Sequence, residues 1–266
     1  MASQTVKVAA ATSDSFRLHV PGVTILGYHR VGQRSNLSVD LPVELFTSQM
    51  AELAESGRVA SLDRALQVLG QPGGQENYVV VTFDDGTADF VDVALPVLER
   101  FQIPATLYVA TDFIERGIPF PHEGKPVSWA ALSDALSTGL VTVGSHTHTH
   151  ALLDRLDPAE VARELDRSTE LISQRLGRPA HHFAYPKAVP GSPCAVEAIG
   201  ERFRSAALAG TRRNRFGQTD PQRLARSPIQ ISDGMRWFRR KVSGGMRLED
   251  DLRRIANRRR YAGATT

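Results

Sequence analysis

The sequence predicts an α/β fold in which a parallel sheet is covered by helices. Three observations predict it. Short apolar, β-branched runs recur along the chain, as in VTILGY, YVVVTF and LVTVGS. Stretches with the apolar period of a helix separate them. The alternation is sustained for about seven strand–helix units, which is the pattern of a parallel sheet. A barrel and an open sheet both fit it. In either, ligands bind beyond the carboxyl ends of the strands.

The elements follow in order. VTILGY (23–28) reads as a strand. In the helix of 40–57, Asp40 is read as the cap, Phe46, Met50 and Leu53 share a face, and Gly57 ends it. SLDRALQVLG is a shorter helix capped by Ser61, and QPGGQEN is a loop. YVVVTF (78–83) is a buried strand. The helical pattern of 88–101 is interrupted by Pro96. ATLYVAT (105–111) is the next strand, 112–128 is a loop rich in turn formers, 129–138 is helical and LVTVGS (140–145) is a strand. The clearest helix is 158–176, with Asp157 as cap, Pro158 in the first turn and Gly177 closing it. HFAYP, RSAALAG and ARSPIQI read as short strands, with helices at 194–201, 234–242 and 248–259.

Size and charge narrow the classes of function. The 266 residues, 41% hydrophobic, suffice for one large domain with a substantial core. A single cysteine rules out an intrachain disulfide. The 32 basic and 29 acidic side chains are too balanced for a nucleic-acid partner. The exception is the arginine-rich DLRRIANRRRYAG near the C-terminus. It reads as a solvated helix face, with peripheral contact to an acidic partner or membrane headgroups as the alternative. No basic start precedes an apolar h-region, and no stretch of about 18 apolar residues exists. The expectation is no signal peptide, no transmembrane segment and a cytoplasmic location, with extracellular or cell-surface action left open.

Chemistry concentrates at the predicted strand ends. Asp84 and Asp85 end one strand, His146, His148 and His150 follow another, and His29 ends a third. A lone Asp-Asp-Gly is ordinarily a turn, and a lone histidine pair ordinarily lies on the surface. Their joint occurrence at one rim is what points to a site. His146 and His150, four residues apart, fall on one side of a turn or short helix. Two imidazoles and a carboxylate form a facial set for a divalent ion, with positions left open for water. One aspartate can ligate while the other serves as general base. His148 is expected to point away. His19, His122, His181 and His182 are read as structural. Tyr28, Tyr185, Phe183 and Trp129 are near the rim and are not counted as sugar-binding residues.

The stretch TFDDG, followed about 60 residues later by SHTHTHALL, resembles the first two motifs of the NodB-like polysaccharide deacetylases, carbohydrate esterase family 4. The resemblance implies a distorted (β/α) barrel of about seven strands over residues 22–232. Outside that span, 1–21 is read as a flexible segment and 233–266 as a helical, arginine-rich extension. The resemblance also implies metal-dependent removal of acetyl groups from N-acetylated glycans, with Asp84 as catalytic base and Asp85, His146 and His150 as metal ligands. The ion is expected to be zinc, with cobalt, nickel or iron also suited to the set.

The third family motif is similar to HFAYPKA. Pro186 matches, and the backbone N–H of Lys187 takes the place of the oxyanion donor. The arginine that usually orients the base is replaced by Ala184, and Arg226 is the candidate from another strand end. The family's last motif, a strand ending in histidine, resembles ILGYHRV near the N-terminus. A circular permutation accounts for that: the last strand of the barrel has become the first. This arrangement resembles the branch acting on poly-β-1,6-N-acetylglucosamine, and it makes His29 the general acid. Gly27 stands where the family often has a leucine lining the acetyl pocket. Two other readings stay open. One is a related metal-dependent hydrolase of a small intracellular amide, or of an antibiotic or lipid-linked sugar. The other is a non-catalytic glycan-binding module.

Overall fold

The computed structural model describes residues 20–246 together with Lys7. The chain passes through β1 (Val23–Tyr28), a short parallel pair β2 (Arg30–Val31) and β3 (Asp40–Leu41), and then helices α1 (Val43–Glu55) and α2 (Leu62–Leu69). Next come β4 (Tyr78–Phe83), α3 (Leu95–Phe101), β5 (Ala105–Val109), α4 (Thr111–Arg116), α5 (Trp129–Ser137) and β6 (Val141–Ser145). It continues through α6 (Pro158–Leu176), β7 (His182–Ala184), α7 (Pro193–Arg202), β8 (Ser205–Ala209), β9 (Leu224–Pro228) and α8 (Gly234–Val242).

All strands except β2 and β3 close into one parallel barrel in the order β1-β4-β5-β6-β7-β8-β9. The open sheet is excluded because β1 pairs on both sides. Tyr28 lies opposite Phe83 on β4, and Gly27 lies opposite Pro228 on β9. The first strand therefore sits beside the last.

Local chemistry explains the helices. Asp157 and Glu160 form a reciprocal capping box at the start of α6, Pro158 fills its first turn, and Gly177 ends it at φ +65°. Ser61 caps α2 by accepting from the Arg64 N–H. Pro96 does not end the helical segment that contains it. It falls in the first turn of α3, where its missing N–H costs nothing, and a π-helical turn, Phe90–Ala94, leads into it. The expected cap at Asp40 is a correction. Pro42 occupies the cap position of α1 without a side-chain bond. The Asp40 carboxylate instead accepts from the Gln33 N–H, the Ser35 N–H and the Ser35 hydroxyl, so it ties down the preceding turn. The strand expected over 105–111 stops at Val109, and Thr111 already begins α4.

The core has two parts. Outward-facing strand residues such as Leu26, Val81, Leu107 and Phe183 pack beneath the helices, with Phe46, Met50 and Leu53 of α1 among their partners. Inward-facing Val23, Ile25, Val80 and Leu224 fill the lumen at the amino ends of the strands, and Leu62, Ala65 and Leu69 of α2 close it. Beyond residue 232, α8 packs on α1 and β1 and buries Phe238. Asp233 just before it is buried between Lys7 Nζ at 2.6 Å and Lys241 Nζ at 2.7 Å. The helix expected at 248–259, the arginine-rich stretch and most of segment 1–21 lie outside the described residues. Among those described, no helix is long and apolar enough to cross a membrane.

Candidate active site

The carboxyl ends of β1, β4, β6 and β9 bring most of the sequence-predicted residues into one cluster. Alternation along each strand decides which side chains point inward. On β9, Arg226 turns into the lumen. On β1, Gly27 does, between Ile25 below and His29 above. Inside the barrel the Arg226 guanidinium reaches across to Asp84. It donates from one terminal nitrogen to Oδ1 and from the other to Oδ2 at 2.7 Å, a two-pronged grip on the carboxylate. The first of these nitrogens also donates to Thr82 Oγ1 at 3.3 Å. The guanidinium lies 5.3 Å from the centroid of the Tyr108 ring. A side chain at position 27 would begin in contact with Arg226: a Cβ there lies 3.4 Å from its Cγ, Cδ and Nε. The glycine is what lets a long side chain from β9 lie across β1.

This buried pair has a definite electrostatic state. Burial of Asp84 disfavours its charge, but Arg226, with His146 and His29 nearby, outweighs that and holds the carboxyl below its ordinary value. Burial likewise works against the Arg226 cation, and the Asp84 charge overcomes it, raising the guanidinium pKa. His29 Nε2 lies 3.7 Å from Asp84 Oδ2, with the ring about a third exposed.

Asp85, His146 and His150 converge beside it, each offering one ligand atom within 4.8 Å of the others. His150 Nε2 is 3.4 Å and His146 Nε2 is 3.7 Å from Asp85 Oδ1. A tetrahedral ion with bonds of about 2.1 Å has ligand-to-ligand edges of about 3.4 Å, so the spacing fits a divalent centre. The ring orientation fits as well. His146 Nδ1 lies 2.7 Å from the Ala184 carbonyl, which can only accept. The proton is therefore on Nδ1, and the Nε2 lone pair faces the cluster. Burial lowers the His146 pKa to about 4, which keeps the imidazole neutral. For Asp85, burial opposes ionisation, but the hydrogen bond and charge of His150 hold the carboxyl well below its usual range. These three residues form a candidate site for a divalent cation.

The segment carrying the histidines is not the short helix that was one expectation. It is an irregular loop in which Thr147 and His150 have φ of +67° and +64°. Non-glycine residues in this region cost about 1–2 kcal/mol each. His148 turns away, as expected, with Nδ1 2.9 Å from Thr111 Oγ1. Glu164 on α6 accepts from the His148 N–H at 2.9 Å, the Thr149 N–H at 2.8 Å and the Thr149 hydroxyl at 2.8 Å.

Lys187 follows β7 in a short turn, Pro186–Ala188, with φ of +54°, and Ala188 has φ of +55°. The turn is closed by the Ala188 and Val189 N–H groups, and the Lys187 N–H takes no part in those bonds. The loop of 112–128 lies against the same rim. Arg30 donates to the carbonyls of Pro121 and His122, while the Gly86 and Ala88 backbone pairs with Val127 and Lys125. Tyr28, Phe183 and Tyr185 are buried in the core, and Trp129 donates to Glu115.

Sequence reasoning missed Thr82, the Ala184 carbonyl and Glu164. None carries a local signal, since each acts through a partner distant in the chain. Gly27 did carry one: a glycine inside a β-branched strand marks a close approach.

With the geometry in view, residues 71–192 match the family model described as polysaccharide deacetylase. The chain is 27% identical over 179 residues to the poly-beta-1,6-N-acetyl-D-glucosamine N-deacetylase of Staphylococcus epidermidis, covering 61% of this chain and 60% of that one. A Bacillus subtilis relative, YxkH, is 26% identical and is spanned over 55% of its length. The chain thus spans less than two thirds of these relatives. Two solved structures share the fold. IcaB from Ammonifex degensii has a TM-score of 0.72 at 24% identity, covering 83% of this chain and 99% of that one. The Streptococcus pyogenes deacetylase PplD in complex with acetate has a TM-score of 0.73 at 19% identity, covering 83% and 98%. The segment that matches this family model holds both the aspartate pair and the histidine loop.

Proposed function

We propose that this chain is a metal-dependent de-N-acetylase that hydrolyses the acetamide of N-acetylated sugars to amine and acetate. The observation that carries the reading is the pairing of two different carboxylates. Asp85 shares a three-donor cluster with His146 and His150, while its neighbour Asp84 is held by Arg226 and left out of that cluster. Metal-assisted hydrolysis of an amide is served by that division: one carboxylate to hold an electrophile and one to accept a proton.

Asp85, His146 and His150 would hold the ion, and zinc suits two imidazoles and one carboxylate, as do cobalt, nickel and iron. When bound, a divalent ion polarises the amide carbonyl and acidifies water. The remaining work falls to the chain. Asp84 accepts a proton from the attacking water as the new C–O bond forms. Arg226 keeps that carboxylate ionised and fixed in orientation. The Lys187 N–H donates to the developing oxyanion. His29 gives a proton to the sugar nitrogen as the C–N bond breaks, and acetate and the free amine leave. The position of His29 at the same rim, with Nε2 3.7 Å from Asp84 Oδ2, supports this role, since acid and base must both reach one scissile amide. The relative named for poly-beta-1,6-N-acetyl-D-glucosamine supports an exopolysaccharide as substrate.

The test is acetate release from short β-1,6- and β-1,4-linked N-acetylglucosamine oligomers with added zinc or cobalt. Asp84→Asn should lower the rate by about 10²–10⁴-fold while leaving metal content unchanged. Stoichiometric metal without release from either oligomer would redirect the reading to a small amide. Neither metal nor release would make the chain a glycan-binding module.

A further inference from the structure

We infer that Glu164 is a positioning residue that sets the shape of the His146–His150 loop and, through it, the affinity of the centre for its ion. The inference rests on the reading of Asp85, His146 and His150 as metal ligands.

The two histidines are held in different ways. The His146 ring is anchored directly, by Nδ1 to the Ala184 carbonyl. The His150 ring has no comparable bond among the described residues. Its contacts are Asp85 Oδ1 and an edge-on approach to the His146 ring, 5.0 Å between centroids. The direction in which His150 presents its nitrogen is therefore set by its backbone. That backbone is left-handed at Thr147 and at His150, a conformation these residues do not adopt unaided.

It is held from two sides, by α6 and by the start of α4, where Thr111 and Asp112 bond Thr147 and His148. Both oxygens of the Glu164 carboxylate face the loop, and together they collect three donors from two successive residues, His148 and Thr149. One helical turn further along the same face, the Ser168 hydroxyl lies 2.7 Å from that of Ser145, which in turn accepts from the Thr147 N–H. On the other side, the Asp112 N–H donates to the His148 carbonyl at 2.9 Å. The carboxylate is the most effective of these holds because both of its oxygens accept and it makes three bonds to the segment. Removing it frees the two amides just before His150 to turn toward solvent and lets the loop relax from its left-handed form. The ligand set then has to be reassembled each time an ion binds.

The test is titration of the metal-free protein with zinc against a chromophoric chelator, at a temperature where every variant is folded. Glu164→Ala should weaken zinc binding by about 10–100-fold, the range seen when a partner behind a metal ligand is removed. Glu164→Gln should recover most of it, because its carbonyl oxygen can accept the two amides and its NH₂ can donate to Thr149 Oγ1. Leu171→Ala, buried elsewhere on α6, should leave affinity unchanged although it loosens the helix. Glu164→Met keeps length and helix propensity while removing both acceptors, and it replaces the alanine variant if that one does not fold. Hydrogen exchange at the His148 and Thr149 amides of the metal-free protein should speed up in the alanine variant. Native zinc affinity in folded Glu164→Ala or Glu164→Met overturns the inference and leaves the metal reading standing. A native chain that binds no zinc overturns both.

Discussion

The two ends of this barrel are made from the same seven strands, yet they are built on opposite rules. At the amino ends the lumen is filled by Val23, Ile25, Val80 and Leu224 and closed by α2 and Phe216. At the carboxyl ends it holds an ion pair, three converging ligand atoms and much of the backbone strain. Five non-glycine residues with positive φ, Asp85, Thr147, His150, Lys187 and Ala188, follow β4, β6 and β7. Each costs about 1–2 kcal/mol. Burying one large aliphatic side chain contributes about 1.5–3 kcal/mol. A floor and an outer shell made of many such side chains therefore outweigh a rim that the chain would not adopt by itself. The floor sets stability, and the rim is where geometry is held against local preference for chemistry.

If that division is right, damage at the two ends should look different. The largest effect is expected at the ligand cluster. Asp85→Ala should abolish zinc content, measured by elemental analysis, and lower acetate release by more than about 10³-fold. Its melting temperature without metal should stay close to native, because the side chain contributes a ligand and not packing. Stoichiometric zinc retained in this variant would remove Asp85 from the ligand set.

Arg226→Met comes next, and it is the one rim variant that should also behave like a floor variant. It leaves the Asp84 carboxylate buried without its partner, and breaking a buried pair from one side costs about 3–5 kcal/mol. Chemical denaturation should show that loss, and kcat should fall by about 10²-fold while zinc remains bound. Gly27→Leu sharpens the point. It keeps the arginine but places a side chain against its Cγ, Cδ and Nε. The rate should fall as in Arg226→Met, with a smaller loss of stability. An unchanged rate in both would end the orienting role of Arg226.

On the floor the pattern should reverse. Leu62→Ala, in the helix that closes the lumen, should cost about 2–5 kcal/mol of stability. Zinc affinity and kcat should be native at any temperature where the variant remains folded. A changed kcat would mean that the ends are mechanically coupled.

The same contrast explains what was legible in the sequence. Apolar runs and caps are local, so the strands, the cap at Asp157 and the aspartate and histidine motifs could be read directly. Failures came where a side chain's partner lies far along the chain or where the backbone departs from regular structure. Asp40 has the chemistry of a cap, but three donors from its own preceding turn compete for it and win. Arg226 was a candidate from the sequence, but it lies 142 residues from Asp84, and their two-pronged contact follows only from barrel closure between β9, β1 and β4. The aromatics at the strand ends were ambiguous for another reason. Alternation sends Tyr28 and Tyr185 outward beneath the helices, one position away from His29 and Ala184, which face in. The turn at Lys187 and Ala188 was invisible, since neither residue announces a positive φ.

That turn supplies the smallest test. Ala188 sits at φ +55°, where its Cβ is strained and glycine is not. Ala188→Gly should relieve about 1–2 kcal/mol in the folded state. It also gives the unfolded chain more freedom, which takes back about 0.5–1 kcal/mol. The net gain is on the order of 0.5 kcal/mol, a rise in melting temperature of about 1–2 °C for a chain of this size. If strain at the rim is only tolerated, kcat should be unchanged as stability rises. If the stiffness of the turn is what aims the Lys187 N–H, kcat should fall in the same variant, most clearly in metal-saturated enzyme, where the ligand cluster no longer limits the rate.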